Sequence, residues 1–403
     1  MTVTDPPLRI AIFADSYLPY LSGVTVSTEA LARGLRAEGH DVLLLAPRPA
    51  SAEQPGTAGA AGPQPEIAWL PSVQLPPPAP RGYRIPWPVG SAALGRAIAF
   101  APQIVHAQSP FAAGRLARRV ARRIGAPLVF THHTRFADYR HYLGPLALPG
   151  AVALDLQLLR FWRSCNAVIA PGTDLAAEIS ARLGARPGPL VRSIPTGIEV
   201  AAIAALPRDD PRPKAGWPAD ALVVGSLGRL APEKSVDLVL AAFRLAAAQE
   251  PRLRLLLIGG GPSEAELRRA VIEQGLADRV HLTGHRPRAE ALSLLKGSDL
   301  FAFASRTETQ GLVVAEALAC GLPVAALDAP GVRDAVRPAV DGLLVDPGGR
   351  PVEGLARAVL TIFGDPAGRA AMAAAAAAGA PRFDRATRIA EVVSLYRQLL
   401  ARS

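Results

Sequence analysis

The sequence has very few cysteines and no long apolar run. Two cysteines among 403 residues permit at most one disulfide and no zinc cluster, so we expect a reducing compartment. No uninterrupted apolar segment reaches about 18 residues, so we expect no membrane-spanning helix. The first apolar residues, Leu8 to Phe13, read as a strand rather than as a leader, which predicts that there is no signal peptide. Together these absences predict a cytoplasmic protein.

Lysine is also scarce, although positive charge is in excess. Only three of the 44 basic residues are lysines, and the formal net charge is +10. A basic surface favours anionic partners, namely nucleotides, nucleic acids or an anionic membrane. The sequence has no recognised nucleic-acid motif and no stripe of basic and aromatic residues, so we expect no nucleic-acid partner.

Short apolar runs alternate with helical patterns along almost the whole chain. This alternation predicts parallel sheets with helices on both faces. The length predicts two or three domains, and residues 206–218, rich in Pro, Asp, Arg and Lys, are interpreted as a linker between two of them. Residues 50–65 and 71–88, rich in Pro, Gly and Ala, are predicted to be loops. Two Rossmann-like domains that face each other would place a cleft at the carboxyl ends of both sheets.

The stretch from Glu308 to Glu316 is the first candidate site. It lies between an apolar run of strand length and a short helix that is predicted to begin at Leu312. Gly311 lets the backbone approach a ligand, and the unpaired N–H groups of a helix N-terminus suit a phosphate. The carboxylates would repel a phosphate, so they are better suited to accept hydrogen bonds from hydroxyls. Two glutamates at this spacing are also common on solvated helices, but the combination of phosphate and hydroxyl groups predicts a nucleotide sugar.

Two basic residues follow the first predicted strand of the second half. Arg229 offers a planar fork for phosphate oxygens, and Lys234 adds a compact point charge. A lysine in the first turn of a helix is unfavourable against the helix dipole, which favours a bound anion at Lys234. The alternative is that both side chains are merely solvated.

Glycine turns and a histidine pair mark further strand ends. Gly260 lies in a turn that could admit a nucleotide or be only a tight turn, and Gly284 lies in a loop that could line a base pocket. In the first half, His132 and His133 follow a strand, and Gly23 precedes a helix. These last residues are expected to face the cleft from the other side.

Together the motifs resemble the family-4 glycosyltransferases of the GT-B fold. The matching segments are 13–19, 22–24, 228–234, 308–316 and the terminal helix. The resemblance covers nearly the whole chain and implies an α/β fold of two Rossmann-like domains that face a central cleft. It implies an N-terminal acceptor domain at 1–200, a C-terminal donor domain at 201–383, and a final helix at 384–403 that packs back on the N-terminal domain.

The resemblance also implies a reaction and four central roles. It implies retaining transfer of a hexose from a UDP- or GDP-linked sugar, with no metal cofactor. Arg229 and Lys234 would bind the diphosphate. Glu308 would bind the donor-sugar hydroxyls, and Glu316 would bind the ribose hydroxyls.

Further donor contacts are implied by the same resemblance. His133 matches the active-site histidine better than His132, because it completes the family's His-Thr pair, and it is expected to hydrogen-bond the donor sugar. Gly311 and Leu312 would donate backbone N–H groups, and Gly23 would lie near the diphosphate. The other residues implied in donor binding are Gly260, Gly284, Thr309 and Gln310.

One departure from the family pattern leaves the donor sugar open. Many members have Gly-Phe after the first glutamate, where this chain has Thr309-Gln310. This segment and the aromatic and histidine residues after His133 look most like those of members that glycosylate diacylglycerol or related membrane lipids.

The alternatives are a soluble, polyprenyl or phosphatidylinositol-type acceptor, or a sugar-nucleotide epimerase of the same fold. A dinucleotide-dependent dehydrogenase would require Gly-x-Gly-x-x-Gly after the first strand, and that motif is lacking there.

The predicted helix at 111–124 carries a cluster of arginines that we call the basic face. Its members are Arg115, Arg118, Arg119, Arg122 and Arg123, and Leu116, Val120 and Ile124 line another face that could dock on the sheet. Such a face is often only solvated, but five like charges repel one another unless an anion compensates them. We therefore predict peripheral binding to the inner face of an anionic membrane. Nearby aromatic residues that could anchor at the interface are Tyr83, Trp87 and Phe136.

Overall fold

The computed structural model describes residues 6–20, 22–49, 63–74, 83–87, 92–133 and 147–402. The chain divides into two units, one formed by Met1–Gly197 with Arg385–Ser403 and the other by Ile198–Asp384. Each unit contains a parallel sheet with an apolar core on each face. The predicted α/β fold class is therefore confirmed.

The first unit alternates strands and helices along the chain. Its strands are β1 (Arg9–Phe13), β2 (Asp41–Pro47), β3 (Glu66–Leu70), β4 (Ser72–Gln74), β5 (Arg84–Pro86), β6 (Ile104–Ala107), β7 (Leu128–Thr131), β8 (Ala167–Ala170) and β9 (Leu190–Ser193). Its helices are α1 (Gly23–Ala37), α2 (Ala92–Ala99), α3 (Ala112–Ile124), α4 (Ala147–Trp162), α5 (Thr173–Leu183) and, at the end of the chain, α14 (Arg385–Leu400). Within the described residues the main sheet has the order β3-β2-β1-β6-β7-β8-β9. The strand order reverses between β1 and β6, which is the switch point of this sheet.

The central strand of this sheet is buried on both faces. Ile10 and Ile12 pack in the core that contains residues of α14, whereas Ala11 and Phe13 pack in the core that contains residues of α3. Because both faces are covered, the strand reads as a continuous apolar run rather than as an alternating pattern.

The final helix, α14, belongs to the first unit although it follows the second unit in the chain. Val392, Leu395 and Leu399 are buried in the core that also contains β1. The helix lies so close to α1 that a Cβ added to Gly34 would be 2.6 Å from the side chain of Ile389. Glycine at position 34 therefore permits this close approach.

Part of the predicted loop at 71–88 is a strand pair. β4 and β5 pair antiparallel. Arg84 Nη2 donates to the carbonyl of Ser72 at 2.7 Å, and its Nε donates to the hydroxyl of the same serine at 2.8 Å. The loop prediction is wrong for these residues because strands of three residues carry too little periodicity to be recognised.

The second unit repeats the same kind of architecture. Its strands are β10 (Leu222–Leu227), β11 (Leu253–Ile258), β12 (Val280–Leu282), β13 (Leu300–Phe303), β14 (Val324–Leu327) and β15 (Gly342–Val345). Its helices are α6 (Val200–Ala205), α7 (Pro211–Lys214), α8 (Val236–Ala247), α9 (Glu264–Glu273), α10 (Arg288–Lys296), α11 (Leu312–Ala319), α12 (Pro351–Gly364) and α13 (Pro366–Gly379). The strand order is β12-β11-β10-β13-β14-β15, so the switch point lies between β10 and β13.

Residues 206–218, predicted to be a linker, are instead part of the second unit. Arg212 Nη2 donates to Asp299 Oδ2 at 2.5 Å. Trp217 is buried, and its indole N–H donates to the carbonyl of Asp278 at 3.2 Å. The linker prediction is wrong because these charged and aromatic side chains have partners within the unit.

Both cysteines, Cys165 and Cys320, are free and buried. Each lies in the apolar core of its unit. Over the described residues, the helices are too short or too polar to cross a lipid bilayer.

Candidate functional site

The structure pairs two of the predicted site residues at the switch point of the second sheet. Lys234 follows β10, Glu308 follows β13, and Lys234 Nζ lies 2.5 Å from Glu308 Oε1. Their side chains are 29% and 15% exposed, respectively. Ligands of open α/β sheets bind beyond the carboxyl ends of the strands at this point. The lysine predicted to bind phosphate and the glutamate predicted to bind sugar hydroxyls therefore lie together, where a ligand is expected.

Hydroxyl groups join the loops that carry this pair. Ser305 and Thr307 donate hydrogen bonds to the carbonyl of Glu233 at 3.3 Å and 3.2 Å. Lys234 lies in a 3-10 turn, Pro232–Lys234, that precedes α8, and not in the first turn of that helix. The argument from an unfavourable helix dipole is therefore wrong for Lys234, and Glu308 balances its charge.

Arg229 lies in the same loop but is far more exposed. Its side chain is 66% exposed, and its guanidinium lies 3.7 Å from the carboxylate of Glu233. A surface ion pair of this length is weak. The Arg229 guanidinium can therefore leave Glu233 and pair with an incoming anion instead.

The glycine turns after β10, β11 and β12 pack against one another. A Cβ added to Gly259 would lie 2.0 Å from the carbonyl oxygen of Gly228, and one on Gly261 would lie 2.3 Å from that of Leu230. Gly259 also bridges to Gly284, which has a φ of +68°. Close backbone packing therefore requires glycine at 259 and 261. A Cβ added to Gly260 would lie 3.2 Å from the backbone nitrogen of His285, and the role of Gly260 in donor binding stays a prediction.

The turn between β13 and α11 has the predicted form. Gly311 is the N-cap of α11 with a φ of +59°, a left-handed conformation that favours glycine. Leu312 is the first helical residue, and the half-buried Thr309 and Gln310 occupy the preceding bend. The N–H groups of the first turn lack helical acceptors, as in any helix.

Glu316 is buried in α11 and forms an ion pair with Arg288, the first residue of α10. The Glu316 side chain is 4% exposed, whereas that of Arg288 is 55% exposed. Burial raises the pKa of Glu316, and the Arg288 guanidinium opposes this rise. Arg288 is not among the residues predicted from the sequence. The sequence does contain a signal for Arg288, because an arginine at the start of a helix is unfavourable against the helix dipole unless an anion lies nearby.

In the first unit, His133 lies at the carboxyl end of β7 and contacts Gln108 at the end of β6. His133 Nε2 lies 2.8 Å from Gln108 Oε1, so the ring carries its proton on Nε2, because an amide oxygen only accepts. Burial lowers the pKa of His133 to about 4, which keeps the ring neutral near pH 7. His132, in contrast, is buried and accepts a hydrogen bond from the indole N–H of Trp162 at 3.3 Å.

A buried hydrogen-bond chain joins α14 to the same sheet. His106 in β6 lies with Nδ1 2.6 Å from the hydroxyl of Tyr396 and with Nε2 2.7 Å from the hydroxyl of Thr131. Burial, together with the nearby His133, lowers the pKa of His106 to about 3. No sequence signal indicates this role of His106, because its partners come from distant segments.

Asp15 follows β1 and lies at the switch point of the first sheet. Its carboxylate accepts hydrogen bonds from the Ser109 hydroxyl and, at 2.7 Å, from the N–H of Ala113 in α3. Burial raises the pKa of Asp15, and these hydrogen bonds and the charge of Arg115 oppose the rise. Asp15 therefore ties the loop after β1 to the first turn of α3.

Gly23 is the first residue of α1. The side chain of Ser22 caps this helix by accepting a hydrogen bond from the N–H of Thr25 at 3.2 Å. A Cβ added to Gly23 would meet nothing within 4 Å. Packing among the described residues therefore does not require glycine here, and the role of Gly23 near the diphosphate stays a prediction. Of the predicted site residues, Gly23 and His133 lie in the first unit and the others lie in the second.

The basic face is present on α3. Arg115, Arg119, Arg122 and Arg123 are exposed and Arg118 is half-buried. Leu116 and Val120 are buried against the sheet, as predicted. None of the five arginines forms an ion pair with a carboxylate of the described residues.

Of the aromatic residues predicted as membrane anchors, Trp87 is exposed and Tyr83 packs edge-on against Tyr20, whereas Phe136 lies outside the described residues.

Two family models match the chain. The model of glycosyl transferases group 1 matches residues 207–378. The model of glycosyltransferase family 4 matches residues 21–202. The first match lies within the second unit, and the second match lies in the first unit except for its last five residues, 198–202.

Two characterised relatives are similar over most of their length. Alpha-monoglucosyldiacylglycerol synthase of Streptococcus pneumoniae is 30% identical over 348 residues, which are 84% of this chain and 75% of that protein. GDP-mannose-dependent alpha-mannosyltransferase of Mycobacterium tuberculosis is 32% identical over 344 residues, which are 85% of this chain and 84% of that protein.

A solved structure shows the same fold. Anabaena HepE in complex with UDP matches with a TM-score of 0.74 at 20% identity, and the match covers 97% of this chain and 100% of HepE. The predicted GT-B fold is therefore confirmed. With both family models matched and relatives at 30% and 32% identity over most of the chain, this protein belongs to family 4 of the glycosyltransferases.

Proposed function

We propose that this glycosyltransferase transfers a hexose from a UDP- or GDP-linked sugar to the hydroxyl of a membrane lipid such as diacylglycerol. The observation that carries the proposal is the pairing of Lys234 with Glu308 at the switch point of the second sheet. One side chain is suited to a diphosphate, and the other is suited to sugar hydroxyls. A nucleotide sugar presents both groups on adjacent atoms.

Binding of the donor would exchange one set of partners for another. In the structure Lys234 and Glu308 neutralise each other at 2.5 Å. A diphosphate carries more negative charge than Glu308 and would attract Lys234, and the sugar hydroxyls would then donate to the released carboxylate. Arg229, whose present partner lies 3.7 Å away, would add a second cation to the diphosphate.

The same cations would stabilise the transition state. Negative charge develops on the leaving diphosphate as the bond to the sugar carbon breaks, and charge-assisted contacts strengthen with it. In retaining transfer, the acceptor hydroxyl approaches on the face from which the diphosphate leaves. A phosphate oxygen of the leaving group would take the acceptor proton, so neither Glu308 nor Glu316 acts as the base. Because Arg229 and Lys234 compensate the charge, we propose that no metal ion is required.

Glu316 and Arg288 would act on the nucleotide part of the donor. The Glu316 carboxylate is buried, and the Arg288 guanidinium beside it favours the ionised form, which would accept hydrogen bonds from the two ribose hydroxyls. Arg288 remains half exposed beside it. The pair therefore forms a boundary of the proposed ribose site.

The basic face supports a lipid acceptor. A cationic helix face gains about 1 kcal/mol per residue near an anionic leaflet. The Streptococcus pneumoniae relative is a glucosyldiacylglycerol synthase by name. We propose that α3 holds the enzyme peripherally on the inner face of the cell membrane, where the acceptor hydroxyl is accessible.

An assay of donor and acceptor tests this function. UDP-glucose and GDP-mannose are each incubated with the enzyme, with and without vesicles that contain diacylglycerol and an anionic phospholipid, and with and without EDTA. From one donor we expect free nucleoside diphosphate, with glycolipid formed only when vesicles are present, and we expect EDTA to affect neither product. Formation of an isomeric nucleotide sugar without release of diphosphate would indicate the epimerase. Transfer to soluble acceptors alone would exclude the lipid.

A further inference from the structure

A small cavity lies in the first unit beyond the carboxyl ends of its strands. It has a volume of about 40 Å³, and its lining includes Ser27, His106, Gln108, Thr131, His133 and Thr196. A cavity of this size holds roughly one to three water molecules, or a group as small as a hydroxymethyl. Its lining is polar enough to bind such a group by hydrogen bonds.

Gln108 presents an unsatisfied donor at this cavity. The residue is 3% exposed. Its Oε1 accepts the proton of His133 Nε2 at 2.8 Å, whereas its Nε2 is buried without a hydrogen-bond partner among the described residues. Buried amide groups are nearly always paired, and an unpaired one destabilises the protein. A ligand that accepts a hydrogen bond would account for this orientation.

His133 supplies the complementary acceptor. Because its proton lies on Nε2, the other ring nitrogen, Nδ1, carries a lone pair. No described residue donates to Nδ1. The two side chains therefore offer one donor and one acceptor. A hydroxyl group satisfies both, whereas an ionised phosphate oxygen cannot donate and an ammonium cannot accept. Arg385 and Arg388 also line the cavity, but an ionised phosphate bound to them would leave Nδ1 of His133 without a donor.

The family resemblance implies a sugar contact for His133, and we infer in addition that Gln108 binds substrate: its amide N–H donates to a substrate hydroxyl whose proton His133 Nδ1 accepts. The hydroxyl belongs to the donor sugar or to the acceptor, and the inference rests on the proposed glycosyl transfer. Gln108 has two functions in this arrangement. Its oxygen fixes the tautomer of His133, and its nitrogen binds the substrate.

Two substitutions separate these functions. In its ionised form, the carboxylate of Gln108→Glu keeps an acceptor for His133 Nε2–H but removes the donor that faces the cavity, so its activity is followed as a function of pH. Gln108→Met removes both. The matched control is Gln103→Met. Gln103 is another glutamine beside β6, at the other end of the strand, and its Oε1 accepts from the N–H of Arg9 at 3.0 Å. Melting temperatures and circular dichroism of all three variants verify that they fold.

Steady-state kinetics with the nucleotide sugar that the wild type uses give the first readout. We expect both Gln108 variants to lower kcat/KM by about tenfold or more, as for the loss of one substrate hydrogen bond, and Gln103→Met to match the wild type. If the hydroxyl belongs to the donor sugar, the loss also occurs in acceptor-free hydrolysis. If it belongs to the acceptor, the loss is confined to transfer. Wild-type kcat/KM for Gln108→Glu in both assays would show that Gln108 only fixes His133, and would overturn the inference.

A binding readout keeps this test independent of turnover. The ¹⁵N resonances of the His133 ring are followed while free glucose or glycerol is added to the full chain. We expect Nδ1 to shift in the wild type and in Gln103→Met, and not in Gln108→Met. A wild-type ring that responds to neither compound overturns the subsite, even if the enzyme transfers sugar. An enzyme that responds but transfers no sugar overturns only the proposed function.

Discussion

In the second unit, Nζ of Lys234 lies 2.5 Å from Oε1 of Glu308, although the two residues are 74 positions apart in the sequence. The pair joins the loops after β10 and β13. Each residue is thus neutralised by the other where the donor is proposed to bind. In the proposed function, donor binding would replace this internal contact and would thereby couple binding of the diphosphate to binding of the sugar.

The first prediction concerns the lysine. Lys234→Ala should lower kcat by at least about 10²-fold, because it removes a cation from the charge that develops on the leaving group. The matched control is Lys214→Ala, whose lysine also lies 2.5 Å from a carboxylate, that of Asp209, but on the surface of the same unit. Steady-state rates compare the two variants. Equal activity of both would show that Lys234 has only a structural role.

The second prediction separates the two glutamates. Glu316→Ala should weaken the binding of free UDP or GDP, because the ribose hydroxyls lose their acceptor. Glu308→Ala should bind the nucleoside diphosphate at least as well as the wild type, since Lys234 no longer has a competing partner, yet it should not transfer sugar. Isothermal titration calorimetry measures both affinities. The reverse order of effects would mean that the roles are exchanged.

The third prediction concerns pH and Arg288. Burial raises the pKa of Glu316, and Arg288 opposes this rise. Without Arg288, the Glu316 carboxylate should take up a proton at a higher pH than in the wild type. A protonated carboxyl is a poorer acceptor for the ribose hydroxyls, so nucleotide affinity of Arg288→Gln should be lost earlier as the pH falls.

Calorimetry of UDP binding over a pH series measures this shift. Arg252→Gln is the control, because Arg252 pairs with Glu250 at 2.8 Å just before β11, at the end of that strand opposite the proposed site. We expect its pH dependence to match that of the wild type. An unchanged pH dependence in Arg288→Gln would show that the ion pair does not tune Glu316.

The elements of the fold were predictable where local signals mark both ends. Helix α10 begins after Pro287 and ends before Gly297, and α11 begins after Gly311 and ends before Gly321. These signals predict both helices with the observed bounds. The parallel strands were predictable because burial on both faces gives continuous apolar runs.

The partners within the site were not predictable in the same way. Glu316 and Arg288 are 28 positions apart, and His133 and Gln108 are 25 apart. Such pairs depend on which strands are neighbours in the sheet, and no local pattern specifies that. The residues after each strand could be identified as candidates, but their hydrogen bonds required the topology.

The fourth prediction concerns the stability of the first unit in acid. Burial lowers the pKa of His106 to about 3. Above the unfolded pKa of about 6.5, the ring is neutral in both states and has no effect on the pH dependence of stability. As the pH falls below that value, the unfolded chain binds a proton first, so the free energy of unfolding decreases until the pH approaches 3.

His106→Gln should remove this contribution. At about pH 5 the wild type should lose about 2 kcal/mol of unfolding free energy, relative to neutral pH, that the variant does not lose. Urea denaturation at both pH values measures the difference. His285→Gln is the control, because His285 is exposed in the second unit. A wild type and a His106→Gln variant that lose equal stability would contradict the prediction.

The last prediction concerns the membrane. Four arginines of the basic face, Arg118, Arg119, Arg122 and Arg123, are replaced by serine. At about 1 kcal/mol per residue, we expect the affinity for vesicles rich in anionic phospholipid to fall by about 10² to 10³-fold. Wild-type binding should be reversed by about 0.5 M salt, because exposed charges are screened over a few ångströms under that condition. Co-sedimentation with vesicles measures both effects.

A control variant tests whether position or total charge decides the binding. Serine replaces four exposed arginines of the second unit, namely Arg252, Arg268, Arg269 and Arg357, so the net charge changes by the same amount. If α3 is the docking surface, this variant should bind nearly as well as the wild type, and its transfer to vesicle-borne diacylglycerol should be retained. Equal loss in both variants would mean that only the net charge attracts the enzyme. Equal binding of the wild type and the α3 variant would leave the basic face without a role at the membrane, and a soluble acceptor would then be favoured.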